Sequence, residues 1–175
     1  MKINNKDKNI VLIGFMGSGK TSVGKRLSLV LKREFIDTDD FIEKREGMTI
    51  NEIFKEKGEE EFRKIERELY KRFSTPKKKI IATGGEVIKN PANIANLKKG
   101  GVIVYLKSSP EKIAQNLKFD NTRPILQVDD KEAKIRELLA QREPFYNKYA
   151  EITIDVSNYD IDHTVDKIIE LAKVW

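Results

Sequence analysis

The sequence predicts an α/β protein in which five strands form a parallel sheet with helices on both of its faces. Short apolar runs alternate with stretches of helical periodicity, and the first run ends in a glycine-rich loop that leads into a helix. Strands that alternate with helices form parallel sheets, and right-handed crossovers place the helices over both faces. Because ligands of such sheets bind at the carboxyl ends of the strands, functional residues are expected there.

Five runs are predicted as strands. The first is a continuous apolar run that ends at Gly14, which is typical of a buried strand. The third ends at a Gly-Gly pair, and the fourth begins after another such pair. In chain order, the predicted strands cover residues 10–13, 34–38, 79–83, 102–106 and 151–156.

The segments between the strands carry helical patterns. Residues 41–70 are predicted to be mostly helical, with breaks near Gly47 and Gly58. Ser109 or Pro110 suits the start of another helix, because serine caps helices and proline fits their first turn. Further helices are predicted at residues 20–33, 131–142 and 162–174, with a loop at about 120–128 before the second of these.

Length and composition favour one globular domain over residues 1–175 and argue against several kinds of site. No apolar run approaches the ~20 residues that a membrane-spanning helix needs. Residues 1–9 are polar and lack the apolar core of a signal peptide, so a cytoplasmic protein is expected. The absence of cysteine excludes disulfides and thiolate metal sites, and the single histidine, His163, gives almost no support to a histidine-based triad or zinc site.

The charge of the chain suits an anionic ligand. A net charge of +6 and an isoelectric point near 9.3 would also suit nucleic acid. However, the lysines are scattered along the helices, often beside glutamates, which indicates mixed surface pairs rather than one basic face. The one lysine run, residues 77–79, follows a proline in an apparent loop and is interpreted as a solvated turn. We therefore expect no nucleic-acid partner and no membrane partner.

The strongest signal is Gly-Phe-Met-Gly-Ser-Gly-Lys-Thr at residues 14–21, which fits the pattern of a phosphate-binding loop. Glycines let backbone amides approach phosphates closely, and the positive end of the next helix points at the same place. Lys20 can reach the β- and γ-phosphates of ATP, and Thr21 can offer its hydroxyl to Mg²⁺. The predicted ATP-binding residues of this phosphate loop are Gly17, Ser18, Gly19, Lys20, Thr21 and Ser22.

Acidic residues stand at the end of the second predicted strand. Asp37 and Asp39 are two positions apart, so they would share a face on an extended segment. One of the aspartates at positions 37, 39 and 40 can instead cap the next helix. Beside a phosphate loop, a carboxylate linked to Mg²⁺ is the favoured interpretation.

Together with the phosphate loop, five later segments resemble shikimate kinase, and the resemblance covers nearly the whole chain. Each later segment is a weak signal alone, but their order after a phosphate loop is specific. They are Asp-Thr-Asp at 37–39, Glu-Phe-Arg-Lys-Ile-Glu at 61–66, Ala-Thr-Gly-Gly at 82–85, Asn-Thr-Arg-Pro-Ile-Leu at 121–126, and Arg-Glu-Pro-Phe-Tyr at 142–146 followed by Tyr149 and Ala150.

The resemblance implies a three-layer P-loop kinase fold and transfer of a phosphoryl group from ATP to the 3-hydroxyl of shikimate. The product would be shikimate 3-phosphate, formed during the biosynthesis of aromatic amino acids. The resemblance also implies an acceptor-binding segment at about residues 38–68 and a mobile lid at about residues 116–128. A monomer is expected.

The resemblance further assigns roles to residues. Lys20, Asp39 and Arg123 are implied as catalytic, with Asp39 the candidate proton acceptor and Arg123 reaching the ATP phosphates from the lid. Thr21 and Asp37 would act on Mg²⁺. The implied acceptor-binding residues are Asp39, Arg63, Gly84, Gly85 and Arg142, where the two arginines clamp the carboxylate of shikimate and Glu66 orients Arg63. An arginine fork matches a carboxylate in a way that lysine cannot.

The sequence departs from the family pattern at two places. Glu86 stands where a third consecutive glycine is usual, and its backbone amide can still serve the acceptor if its side chain turns toward an arginine. Asn116 and Leu117 stand where the family often has Arg-Thr, whose arginine packs on adenine. How adenine is held, and whether ATP is preferred over other triphosphates, is therefore left open by the sequence.

Two alternatives remain open from the residues alone. A kinase for another small acceptor, such as gluconate or a nucleoside monophosphate, would share the loop and the sheet without needing both arginines and the Asp-Thr-Asp segment. A nucleotide-dependent switch or nucleic-acid-binding module would use the loop only for binding. Such a module would turn ATP over slowly and would not depend on an acceptor.

Overall fold

A five-stranded sheet forms the centre of the computed structural model, which describes residues 5–174. Its strands are β1 (Asn9–Ile13), β2 (Phe35–Asp37), β3 (Ile80–Ala82), β4 (Gly101–Lys107) and β5 (Ile152–Asp155). The order across the sheet is β2-β3-β1-β4-β5, and every neighbouring pair is parallel. The prediction of five parallel strands is confirmed, and the predicted boundaries agree to within about one residue.

Eight α-helices surround the sheet within residues 5–174. They are α1 (Lys20–Leu31), α2 (Thr38–Glu46), α3 (Ile50–Lys57), α4 (Glu59–Arg72), α5 (Pro91–Gly100), α6 (Pro110–Asn116), α7 (Lys131–Tyr149) and α8 (Ile161–Ala172). Single turns of 3₁₀ helix lie at Asn5–Asp7, Val87–Lys89, Pro124–Leu126 and Val156–Asn158. The breaks predicted near Gly47 and Gly58 separate α2, α3 and α4.

One helix of the structure lies in a segment for which no helix was predicted. Helix α5 was not predicted, although its start carries the usual signals. The side chain of Asn90 caps the helix by accepting a hydrogen bond of 3.0 Å from the amide of Ala92, and Pro91 occupies the first turn. These residues could have revealed the helix before the structure was known.

Helix α7 differs by its length, because it continues to Tyr149 instead of ending at residue 142. Pro144 lies inside it, and proline removes one intrahelical hydrogen bond. Tertiary contacts of Tyr146 hold the last turns. Its ring stacks on Tyr105 with 4.9 Å between the centroids, and its hydroxyl donates a hydrogen bond of 2.7 Å to the carbonyl of Gly85.

The apolar core lies on both faces of the sheet, which confirms the three-layer architecture. Alternate residues of β1 point to opposite faces, as strand geometry requires. Val11 and Ile13 join a cluster with residues of α2 to α5, whereas Ile10 and Leu12 join a cluster with residues of α1 and α8. All four of these β1 side chains are fully buried, so the end of β1 is a rigid support for the loop that follows.

A third apolar cluster lies beyond the sheet and holds the base of the lid segment. It joins Phe15 of the phosphate loop to residues of α6 and α7 and to Leu126 of the lid. Leu126 is 1% exposed, whereas Phe119 at the other end of the lid is 90% exposed. Leu117, near the start of the predicted lid, is 4% exposed and belongs to the same cluster, so this segment is held by packing at Leu117 and Leu126 and is exposed between them.

Among the helices within residues 5–174, none combines the length and the apolar character that crossing a membrane would require.

Candidate active site

The phosphate loop connects β1 to α1. Gly17 and Gly19 have φ values of 76° and 91°, in the left-handed region where glycine meets no steric penalty. Helix α1 begins at Lys20, directly after Gly19. The predicted context of strand, glycine loop and helix is therefore present, and the amides of the first helical turn face the loop as an anion site requires.

Lys20 is folded back onto its own loop. Its ammonium donates hydrogen bonds of 2.6 Å to the carbonyl of Gly14 and 2.9 Å to the carbonyl of Phe15. Burial lowers the pKa of Lys20 from 10.5 to about 7, with Arg123 adding to the effect and Asp39 opposing it. Above about pH 7, Lys20 is therefore largely neutral in the free protein, and the binding of an anion would favour its protonated, positively charged form.

A cleft of about 200 Å³ lies next to the loop, at the carboxyl ends of β1, β2 and β3. It brings together residues that are far apart in the chain, which is the convergence predicted from the parallel sheet. Its lining residues are Met16, Gly17, Gly19, Lys20, Thr21, Ser22, Asp37, Asp39, Thr83, Gly84, Gly85 and Arg123. Ser18 is buried in the loop itself.

A larger cavity of about 430 Å³ lies elsewhere, lined by Lys32, Arg33, Glu34, Lys77 and Lys78 among others. Glu34 and Lys78 stand just before the amino ends of β2 and β3, so this cavity is at the edge of the sheet opposite the phosphate loop. Ligands of parallel α/β sheets bind at the carboxyl ends, and the smaller cleft is therefore the candidate active site.

Asp37, the last residue of β2, and Asp39 both line the cleft, but the expectation that they share a face of one extended segment is wrong. Helix α2 begins at Thr38, so Asp37 and Asp39 do not lie on one extended segment. Asp37 caps the helix by accepting a hydrogen bond of 3.1 Å from the amide of Asp40, and its other oxygen accepts one of 2.9 Å from the hydroxyl of Thr21. Asp37 thus combines the capping role with the contact to the phosphate loop.

Thr21 and Asp37 fit the ligand chemistry of Mg²⁺. The ion prefers oxygen ligands, keeps several waters and commonly binds through one or two carboxylates plus substrate phosphates. No group of three or more acidic, histidine or cysteine side chains suited to a metal occurs within residues 5–174. The paired hydroxyl and carboxylate at 2.9 Å therefore match an ion that arrives with the phosphates of ATP.

Asp39 has the electrostatic environment of a proton acceptor. Burial, together with the neighbouring carboxylate of Asp37, raises the pKa of Asp39 from 3.8 to about 6. Gly84 lies against it, since a Cβ atom at Gly84 would stand 3.2 Å from Oδ1 of Asp39. A side chain at this position would force the carboxylate of Asp39 to shift by a few tenths of an ångström, so glycine allows the close approach without such a shift.

Arg63 of α4 and Arg142 of α7 meet on one carboxylate, that of Glu86. Arg142 donates a hydrogen bond of 3.1 Å to Oε1 of Glu86, and Arg63 makes a short contact with Oε2. Arg63 also donates one of 2.7 Å to Glu66, which is 4% exposed. The predicted pairing of Arg63 with Glu66 is confirmed, and the side chain of Glu86 turns toward both arginines.

Arg142 stands at the predicted end of the helix at residues 131–142, and yet it is buried. In the structure it lies within α7 and is 5% exposed. Its guanidinium lies 5.3 Å from the ring centroid of Phe15, and its Nη1 atom is buried without a hydrogen-bond partner. Gly85 is adjacent, since a Cβ atom there would stand 3.6 Å from this Nη1.

Arg123 reaches the cleft from the predicted lid, which lies between α6 and α7. Its backbone is extended, with φ −110° and ψ 100°, as expected for a residue before proline. Its Nε atom lies 3.4 Å from Asp120. The lid also contains one 3₁₀ turn, Pro124–Leu126, that the sequence did not predict.

Two asparagines that were not predicted as site residues connect the parts of the site. The side chain of Asn51 on α3 donates a hydrogen bond of 3.1 Å to the carbonyl of Thr122 in the lid. The side chain of Asn116 donates one of 2.8 Å to the carbonyl of Gly17. Asn116 was singled out only as a departure from the family, and no sequence pattern pointed to Asn51.

The fold and the cleft together define a class. Phosphoryl transfer is catalysed mainly by positioning and by stabilising charge. A phosphate loop beside two carboxylates and a buried arginine suits an ATP-dependent kinase for a small anionic acceptor.

Comparison with known proteins then gives the family. A family model described as shikimate kinase matches residues 16–173. Curated shikimate kinases from Caldanaerobacter subterraneus subsp. tengcongensis and Thermoanaerobacter pseudethanolicus are 51% and 46% identical to the chain. Each match covers 93% of this chain, and 94% and 95% of the respective relatives. The chain belongs to the shikimate kinase family.

A solved structure agrees with this assignment. The shikimate kinase from Acinetobacter baumannii in complex with shikimate superposes with a TM-score of 0.88 at 39% identity, covering 95% of this chain and 93% of that one. The protein is accordingly an enzyme that phosphorylates shikimate with ATP in aromatic biosynthesis.

Proposed function

We propose that the chain transfers the γ-phosphoryl group of ATP to the 3-hydroxyl of shikimate, with Arg63 and Arg142 holding the carboxylate of the acceptor. The observation that carries this proposal is the meeting of the two guanidinium groups on one carboxylate beside the cleft. Charge-assisted pairs of this kind are strong and directional. A carboxylate held there would leave the ring hydroxyls of the acceptor to face Asp39 and the phosphate loop.

Asp39 is proposed to bind the acceptor hydroxyl and to accept its proton. Its pKa of about 6 means that it is ionised above neutral pH and is still basic enough to take up a proton. The backbone amides of Gly84 and Gly85 are proposed to contact the acceptor from the other side. Their lack of side chains keeps this approach open.

Lys20 and Arg123 are proposed to stabilise the negative charge of the transferring group. The folded-back ammonium of Lys20 is available once the phosphates of ATP offer better acceptors than the loop carbonyls. Thr21 and Asp37 are the residues proposed to hold Mg²⁺, which when bound neutralises phosphate charge. Residues 17–22 of the phosphate loop supply the remaining contacts to ATP.

The lid at about residues 116–128 is proposed to close over the bound substrates. A kinase must keep water from the transferring group, and a closing loop achieves this. The packing supports a movement of the middle of the lid, because Leu117 and Leu126 are held in the apolar cluster whereas Phe119 between them is 90% exposed. We propose one domain over residues 1–175, which contains this lid and an acceptor-binding segment at about 38–68.

A monomeric state and a cytoplasmic location are proposed as well. The support for a monomer is that one chain supplies every residue assigned to the site. The support for a cytoplasmic location is the use of ATP as co-substrate. Light scattering of the purified protein tests the first proposal, and fractionation of the host cells tests the second.

The decisive test measures ADP release from ATP and Mg²⁺ with shikimate, with gluconate and with no acceptor, followed by NMR of the product. We expect that, of these acceptors, only shikimate strongly stimulates the release of ADP and that the release requires Mg²⁺. The NMR spectrum should show the phosphate on the 3-hydroxyl of shikimate. Stimulation by gluconate instead, or phosphate at another hydroxyl, would contradict the proposed acceptor geometry. Slow, acceptor-independent release would favour a nucleotide-dependent binding module.

A further inference from the structure

Glu86 occupies the place that the proposal above assigns to the carboxylate of shikimate. Its Oε1 atom accepts a hydrogen bond of 3.1 Å from Arg142, and its Oε2 atom contacts Arg63. A single carboxylate that bridges two guanidinium groups has the same charge and shape as the acceptor carboxylate. The two groups cannot both bind in this position.

We propose that Glu86 is a built-in occupant of the carboxylate clamp, displaced when shikimate binds, and that it thereby sets the affinity for the acceptor. This inference rests on the proposed roles of Arg63 and Arg142. It assigns to Glu86 a competitive role in acceptor specificity, since a ligand without a carboxylate gains too little to displace it.

Arg142 shows why a ligand can win this competition. The residue is 5% exposed, and its Nη1 atom is buried without a hydrogen-bond partner. Glu86 therefore satisfies only part of the guanidinium group. A buried donor without a partner is costly, so a ligand that also reaches Nη1 binds more favourably than Glu86 does.

The surroundings of Glu86 allow it to leave. Its side chain is 31% exposed, and Lys89, one turn further along the same 3₁₀ segment, lies 3.2 Å from Oε1 with 58% of its side chain exposed. Lys89 can keep this partner when the arginines are taken by the ligand. Arg63 has a separate hydrogen bond of 2.7 Å to Glu66, which a ligand at the place of Glu86 would not need to break.

Glu86 is ionised at the pH at which it would compete with the carboxylate of shikimate. Burial raises its pKa, but Lys89, Arg63 and Arg142 outweigh that effect, so the pKa lies below the ordinary value of 4.5. The carboxylate of Glu86 is thus ionised at neutral pH. A glutamate that only braced the two arginines would be ionised as well. The two roles are therefore distinguished by whether removing the charge of Glu86 strengthens or weakens the binding of shikimate.

The experiment compares Glu86→Gln and Glu86→Gly with the unaltered protein, by calorimetric titration with shikimate and by steady-state kinetics. We expect the Kd and KM for shikimate to fall about three- to tenfold, because a competing ion pair is removed, with the KM for ATP changed less than twofold. The matched control is Glu170→Gln. It also removes an exposed acid paired with a lysine three positions away, but it lies on α8, on the other face of the sheet.

A double-mutant cycle makes the test independent of folding effects. Lys89→Met should weaken shikimate binding more when Glu86 is present than in the Glu86→Gln background, because the displaced carboxylate then has no partner whereas the carboxylate in the clamp keeps both arginines. Unchanged or weaker binding in both Glu86 variants would overturn the proposal and leave Glu86 as a brace. If Arg63→Lys and Arg142→Lys leave shikimate binding intact, the clamp itself is wrong, and the two failures are thereby distinguished.

Discussion

The side chain of Asn51 donates a hydrogen bond of 3.1 Å to the carbonyl of Thr122, and this contact joins the proposed acceptor-binding segment to the proposed lid. Asn51 lies on α3, and Thr122 precedes Arg123 by one residue. The position of Arg123 over the cleft is therefore linked to the position of the acceptor-binding helices. Closure of the lid and binding of the acceptor are expected to favour each other.

Replacing Asn51 with alanine should lower kcat/KM for shikimate by about two- to tenfold, the range expected for loss of one neutral hydrogen bond of roughly 0.5–1.5 kcal/mol. The thermal midpoint should hardly change, since the bond lies on the surface. Steady-state kinetics and a melting curve measure both. Asn147→Ala, an exposed asparagine on α7, is the control, and an equal effect from it would show that the Asn51 contact has no special role.

Arg123→Ala should lower kcat by roughly a thousandfold, the lower end of the range for arginine fingers, because the lid arginine acts on the transferring group. Binding of shikimate without nucleotide should stay nearly the same. Calorimetry and single-turnover kinetics separate the two quantities. Arg136→Ala, which removes an exposed arginine of α7, should leave kcat unchanged. A normal kcat for Arg123→Ala would reduce the lid to a simple connector.

Lys20→Ala should remove most of the activity, by a factor of about 10²–10³ or more as for other charge-stabilising groups, while the protein stays folded. A second readout comes from the pKa of about 7. At pH 8 the free enzyme holds Lys20 mostly neutral, and the phosphates of ATP should draw a proton onto it.

Calorimetric titration of the protein with ATP in buffers of different ionisation enthalpy measures this proton uptake. We expect up to about one proton, because ATP should raise the pKa of Lys20 through the working pH. The uptake should vanish in Lys20→Ala and persist in Lys25→Ala, an exposed lysine on the same helix. Equal uptake in the wild type and in Lys20→Ala would mean that another group carries the proton.

Arg63→Lys and Arg142→Lys should each raise the KM for shikimate by about one to two orders of magnitude, since charge-assisted hydrogen bonds contribute roughly 1.5–3 kcal/mol. Lysine keeps the charge but loses the planar fork. The KM for ATP should change little. Arg67→Lys, on the exposed side of α4, is the matched control, and equal losses for both substrates would argue that these arginines do not face the acceptor.

Asp39→Asn should abolish most turnover and yet stabilise the protein at pH 7.5. The pKa in the folded state is about 6, above the ordinary 3.8, so the folded state favours the protonated carboxyl. Ionisation therefore costs stability once the pH has risen through both values. At about 1.4 kcal/mol for each pKa unit, the free energy of unfolding should rise by about 1–3 kcal/mol in the variant.

This gain should shrink as the pH falls and should disappear below about pH 4, where the carboxyl is protonated in both states. Denaturant unfolding at several pH values measures it. In the same range kcat/KM of the unaltered enzyme for shikimate should fall as the pH drops through about 6, because the proton acceptor of the free enzyme is lost. A variant that is less stable at pH 7.5 would show that Asp39 is not in a disfavoured charged state.

Much of the fold and of the site was predictable because it depends on local patterns. The strands, the phosphate loop and the position of Asp37 at a strand end follow from hydrophobic runs, glycine spacing and the geometry of parallel sheets. Helix α5 was missed although Asn90 and Pro91 announce it, and α7 runs past Pro144 because Tyr146 packs against Tyr105. A local signal such as a proline does not end a helix where tertiary contacts contribute more free energy than the lost hydrogen bond costs.

The sequence by itself determined that this chain binds ATP on a glycine-rich loop and carries two arginines and an aspartate suited to an anionic acceptor. Only the tertiary structure decided that Arg142 is buried against Phe15, that Asn51 contacts the lid, and that Glu86 lies between the two arginines. These relationships join segments that are tens of residues apart, so no local periodicity encodes them. They arise because packing of the helices on the sheet brings separate side chains to one point.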